Sequence, residues 1–119
     1  MTLIKDLLEL KDRNLYLDID GKKMPMSMQY YVADNIFFFE VDEKAKLSTI
    51  DDLRTILEME AEDNCWREDI YIAPMENISS CEIRFPKDFS KVTENDIFDD
   101  YYVITHIDTT YDDVIIYLK

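Results

Sequence analysis

The chain ends in YYVITHIDTTYDDVIIYLK, residues 101–119, and the alternation inside this stretch decides what kind of sheet the fold must build. Successive side chains of a strand point to opposite faces, so a period of two sorts residues into a core set and a solvent set. Read this way, Tyr101, Val103, Thr105 and Ile107 share one face, matched by Val114, Ile116 and Leu118 on the next strand. Apolar matching sets the register. Ile107 falls opposite Val114 and Val103 opposite Leu118, with Thr109-Thr110-Tyr111-Asp112 as the hairpin loop. The other face then carries Asp108 opposite Asp113, His106 opposite Ile115, Ile104 opposite Tyr117, and Tyr102 near Lys119. Like charges facing each other across a ladder are locally unfavourable.

Just upstream lies TENDIFDD, residues 93–100, where Thr93 is placed to cap a short helix. From Val92 to Leu118 the chain holds Glu94, Asp96, Asp99, Asp100, Asp108, Asp112 and Asp113 and no Lys or Arg. Half of the net charge of −14 therefore sits in this stretch. A second acidic run covers residues 48–63. Ile50, Leu53, Ile56, Leu57 and Ala61 recur at helical spacing and define a buried stripe. Asp51, Asp52, Glu58, Glu62 and Asp63 line the opposite side, relieved by Arg54 alone. Ser48 is the expected cap, with Asp51 completing a weak capping box. Acids in the last turn of a helix oppose its dipole, so Glu58, Glu62 and Asp63 point to solubility or binding.

The remainder reads as follows. Leu3, Ile4, Leu7 and Leu8 predict a short helix over 2–12, capped by Thr2. In NLYLDIDGKKM, Leu15, Leu17 and Ile19 face one way and Tyr16, Asp18 and Asp20 the other, ending in a turn at Gly21, the chain's one glycine. MPMSMQYYV, residues 24–32, alternates as the returning strand, and Pro25, which lacks a ladder donor, marks its start as an edge or as irregular. Asp34-Asn35 is a second turn. IFFFEV, apolar on both faces through Phe39, predicts a central strand covered on both sides. EDIYIA and SCEIRF predict two more strands, joined through Pro74. Neighbouring strands with short connections pair antiparallel. The expected fold is one α+β domain, residues 1–119: a mostly antiparallel sheet of about five to seven strands, two main helices and one short helix.

Composition narrows the function classes. A 47% hydrophobic and 13% aromatic chain is too apolar to be disordered. With 27 acids against 13 bases, direct contact with nucleic acid or an anionic membrane is disfavoured, and a basic partner or a cation is favoured. Cys65 and Cys81 form no metal or redox motif, which points to reduced, buried thiols and a cytoplasmic protein. No apolar run spans a bilayer, and the amino terminus lacks the unbroken apolar region of a signal peptide. One glycine rules out the phosphate-binding loops, so no nucleotide cofactor is expected. A lone His106 on an alternating strand has no evident catalytic partner. Asp18-Ile19-Asp20-Gly21 opens like a calcium loop, but the glycine falls at the fourth position where the sixth is needed. A divalent cation held by Asp99-Asp100 or Asp112-Asp113 stays as an alternative.

These features favour a non-enzymatic acidic binding protein whose partner is a basic, nucleic-acid-handling protein. The residues expected to carry binding are Asp99, Asp100, Asp108, Asp112 and Asp113, with Tyr102 and Tyr111 as anchors, and Glu58, Glu62 and Asp63 as a second group. In overall character the chain resembles phage and mobile-element inhibitors of bacterial defence nucleases, anti-CRISPR proteins included. It is similar in the same way to immunity proteins that neutralise toxic nucleases. The resemblance is one of composition over the whole chain, and it implies occlusion of a nucleic-acid channel by a carboxylate-bearing surface.

Overall fold

Two tight turns set the local order of the fold. Asp20 and Gly21, at φ of 52° and 83°, and Asp34 and Asn35, at 50° and 66°, are pairs of left-handed residues of the kind that close two-residue hairpins. The first is fastened by Asp18 Oδ1, which accepts from the Gly21 N–H at 3.0 Å. The structure, a computed structural model, describes residues 2–64, 70–72, 81–92 and 100–119. In chain order it contains β1 (Thr2–Leu3), α1 (Ile4–Leu8), β2 (Asn14–Ile19), β3 (Lys22–Pro25), β4 (Tyr30–Ala33) and β5 (Ile36–Phe39). Then come β6 (Ser48–Thr49), α2 (Ile50–Asn64), β7 (Ile70–Ile72), β8 (Cys81–Arg84), a 3₁₀ turn at Phe89–Lys91, β9 (Ile104–Thr109) and β10 (Asp113–Leu118).

The α+β expectation holds in its coarse form: two helices pack with β-sheet. The single, mostly antiparallel sheet does not. The strands form two mixed sheets, one ordered β1-β7-β8-β5-β4 and one ordered β3-β2-β10-β9, with β6 also pairing β2. Local connections do dictate antiparallel hairpins, β2–β3, β4–β5 and β9–β10. Three pairs are parallel: β2 with β10, β5 with β8, and the consecutive β7 with β8, which were expected to pair antiparallel. Residues 24–32, expected as one returning strand, divide between the sheets, β3 entering one and β4 the other. Pro25 does sit on an edge strand.

Ile36–Phe39 is buried at every position and lies between β4 and β8, as its two-sided apolar pattern requires. Phe37 and Phe39 enter the main core with Leu15, Leu17, Ile83, Val114, Ile116 and the stripe Ile50, Leu53 and Leu57. Ile36 and Phe38 face the other way, into a smaller cluster with Val92 and Tyr101.

The helix starts differ from expectation because backbone pairing comes first. Thr2 and Leu3 pair with Ile72 and Tyr71, so α1 begins at Ile4 without a side-chain cap. Ser48 is likewise held in a ladder opposite Leu15, and the capping role passes to Thr49. Its N–H and hydroxyl donate to Asp52 Oδ2 at 2.8 and 3.3 Å, the carboxylate half of a capping box, one residue later than expected. The expected short helix falls largely on residues 93–99, outside the described residues.

Candidate functional site

The second sheet buries one face only. Leu15, Leu17, Val114, Ile116 and Leu118 fill the core, and the alternate residues are left half-buried or exposed. Register converts this into rows. Lys23, Asp18, Tyr117 and His106 lie side by side across β3, β2, β10 and β9, and Pro25, Tyr16, Ile115 and Asp108 form the next row. The outer face is therefore a strip of aromatic and aliphatic groups edged by carboxylates.

Its contacts are specific. The His106 and Tyr117 rings stack with centroids 4.0 Å apart, and His106 Nε2 lies 3.9 Å from Asp108 Oδ2. Partial desolvation, then the charges of Asp108 and Asp18, then a hydrogen bond with Asp108, push the Tyr117 hydroxyl above its ordinary pKa. The Lys23 ammonium sits 4.1 Å above the Tyr16 ring and 3.6 Å from Asp113 Oδ2. Asn14 Nδ2 donates to the other Asp113 oxygen at 3.3 Å.

The hairpin register is two residues from the one expected. Ile107 pairs with Ile116 and Asp108 with Ile115, while Asp113 pairs with Asn14 of β2. The expected clash between Asp108 and Asp113 is thus avoided. The turn decides this: Thr110 N–H donates to the Asp113 carbonyl at 2.8 Å and the Thr110 hydroxyl accepts from the Asp113 N–H at 3.0 Å. A bulge between Tyr117 and Leu118 skips Thr105 and inverts the alternation beyond it. Ile104 consequently packs on the core, and Val103, expected inside, is 47% exposed.

The remaining expected residues are dispersed. Asp99 lies outside the described residues. Asp100 is exposed, 3.8 Å from Lys87 Nζ, so cations distant in sequence do relieve this region. Asp112 is exposed at the hairpin turn, where its carbonyl accepts from the Asn14 N–H at 2.8 Å. Tyr111, at the same turn, is 90% exposed. Tyr102 packs against the main core with the Lys87 ammonium 5.7 Å above its ring. Glu58, Glu62 and Asp63 are exposed on α2, and Glu58 borders a groove of about 220 Å³ with Leu8, Leu57, Ala61 and Ile70. Sequence reasoning left Tyr16, Asp18, Lys23 and Ile115 out of the site. Alternation in residues 14–19 did place Tyr16 and Asp18 on a polar face, but nothing local says that β10 lies beside it.

Among the described residues one side-chain line is of a catalytic type. Thr105 Oγ1, His106 Nδ1 (3.1 Å) and Asp108 form a hydroxyl–imidazole–carboxylate line. The hydroxyl, however, also reaches the Tyr117 carbonyl at 3.3 Å, and the imidazole and carboxylate are more than half exposed, where water weakens any electrostatic stabilisation. Burial, reinforced by the charge of Glu82, pushes the Cys81 thiol up to about 12, far from thiolate chemistry at neutral pH. Cys65 lies outside the described residues. Among the described residues no group of three or more His, Cys, Asp or Glu is placed to hold a metal ion, and no helix is long and apolar enough to cross a membrane. Compared with known proteins, the chain matches no family model, no curated protein and no solved structure.

Proposed function

We propose that this protein is a non-catalytic acidic binding protein that lays the open face of its second sheet on a basic surface of a nucleic-acid-handling partner and occludes it. The observation that carries the reading is a sheet face on which Tyr16, Ile115 and Tyr117 stay only half-buried. Amphipathic rings on a rigid sheet supply contact area at low entropic cost. Asp18 and Asp108 stand in the same rows, with Asp112 exposed at the adjoining turn; they supply the charge that a basic surface seeks, and a net charge of −14 accelerates the encounter. Basic protein surfaces mostly serve to hold phosphates, so a carboxylate-edged face competes with nucleic acid for the same ground, as an inhibitor of a nuclease would.

Capture from a bacterial lysate, followed by competition with duplex DNA, tests this. Basic partners should be retained at about 0.1 M salt and released towards about 1 M, where the screening length falls from ~10 Å to ~3 Å. DNA should displace the protein. Acidic or neutral partners, or retention indifferent to salt, would overturn the reading. The double variant Asp108→Asn, Asp112→Asn should slow association severalfold and change dissociation less.

A further inference from the structure

The second sheet has two edges, and they are built differently. β3 carries Lys22, Lys23 and Pro25 within four residues, the devices that stop an edge from pairing with another chain. β9 is six residues long, ITHIDT, with no Lys, Arg or Pro. Among the described residues no strand pairs with its outer side.

The hydrogen-bond phase says which groups that side presents. Thr110 N–H bonds the Asp113 carbonyl, and antiparallel pairs alternate between bonded and non-bonded. Asp108 and His106 therefore exchange bonds with Ile115 and Tyr117, and the N–H and C=O of Ile107 and Thr109 point away from β10. Buried by an incoming chain, such groups need partners, and an extended segment supplies them in register. On the outer face β9 carries the carboxylate of Asp108, and Asp112 is exposed at the adjoining turn.

We infer that β9 is a docking edge: an extended segment of the partner, with Lys or Arg at alternate positions, adds to the second sheet beside Ile107–Thr109. This rests on the acidic-face reading above and names how the partner is held. Main-chain bonds to Ile107 and Thr109 give the segment its register, and a basic residue on the outer face meets Asp108. Charge chooses the occupant: a second copy would bring another net −14 against Asp108 and Asp112, whereas a basic strand neutralises them. The bulge at Thr105 ends the ladder, so the added strand is short.

The probe is a fluorescent alternating Lys–Val peptide of about eight residues, titrated at low salt. It should bind, and hydrogen exchange at the amides of Ile107 and Thr109 should slow. Two further peptides, N-methylated at every Val or at every Lys amide, should differ, because only one set faces β9 whichever way the strand runs. Thr109→Pro removes an outward donor and leaves every charge in place; it should weaken binding about ten-fold with unchanged circular dichroism. Should that variant fail to fold, the methylated pair still decides. If both methylated peptides bind like the parent while Asp108→Asn weakens binding, the edge mode falls and the acidic-face reading stands. If the parent peptide does not bind at low salt, both fall. Dimers abolished by Thr109→Pro would overturn the inference in favour of a second copy.

Discussion

The far faces of the two sheets present opposite solutions to the same problem. In the first sheet the neighbouring strands β5 and β8 are buried on both faces, and even the charges of β8 are inside. Glu82 and Arg84, 0% and 4% exposed, meet with Arg84 Nε 2.9 Å from Glu82 Oε2. The guanidinium lies 5.2 Å from the Tyr101 ring, which stacks on Phe38 at 5.8 Å. In the second sheet the far face is half-buried on β2 and β10 and exposed on β9, and its pair, His106 and Asp108, is loose at 3.9 Å and more than half exposed. The lesson is that the same kinds of group take different roles by location. The buried pair is committed to the fold, while the exposed one remains free to exchange water for a partner.

The largest effect should come from breaking the buried pair. Arg84→Met removes a cation from beside Glu82 and leaves the carboxylate inside the protein. It should cost about 3–5 kcal/mol in the free energy of unfolding, measured by urea denaturation. A loss under about 1 kcal/mol would mean that the first sheet's far face is wet, and the contrast between the sheets would collapse.

A finer cut lies within β10, where Ile115 and Ile116 are neighbours on opposite faces. Ile116 is fully buried opposite Ile107, and Ile115 sits between Tyr16 and Asp108 on the outside. Ile116→Ala should cost about 2–5 kcal/mol and Ile115→Ala about 1 kcal/mol or less. Equal losses would show that something covers the outer face in solution, and both functional readings would lose their surface.

Which parts of this were legible in the sequence follows from the range of the interactions. Alternation over 14–19, the run Ile36–Phe39 and the stripe Ile50, Leu53 and Leu57 are local patterns, and each names its buried face correctly. Both hairpin turns are local too. The parallel contact of β2 with β10 joins residues about a hundred positions apart, and no pattern in either strand specifies it. That contact builds the open face, so half of the candidate site was out of reach. The register of the last hairpin failed for a different reason. Ile107 finds an apolar partner in Val114 or in Ile116, and a shift of two keeps every side chain on its face. The choice falls to Thr110, whose hydroxyl and N–H capture Asp113, and to Asn14 and Lys23, which hold the Asp113 carboxylate.

The smallest expected effect is the sharpest test of the open face. Asp108 lies 3.9 Å from His106 Nε2 with its carboxylate 56% exposed. An exposed pair of this kind contributes little, since water and salt screen it and ordering the side chains offsets the attraction. Asp108→Asn should therefore shift the urea unfolding free energy by no more than about 0.5 kcal/mol, with the shift shrinking as salt is added. The direction is informative as well. Asp108 stands among Asp18, Asp112 and Asp113 in a chain of net −14, so removing one negative charge also relieves repulsion, and a slight gain at low salt is the expected sign. A loss of more than about 1 kcal/mol would mean that Asp108 is held by the fold as firmly as Glu82 is. Near-neutral stability combined with slower association of a basic partner would mark Asp108 as a residue kept for binding.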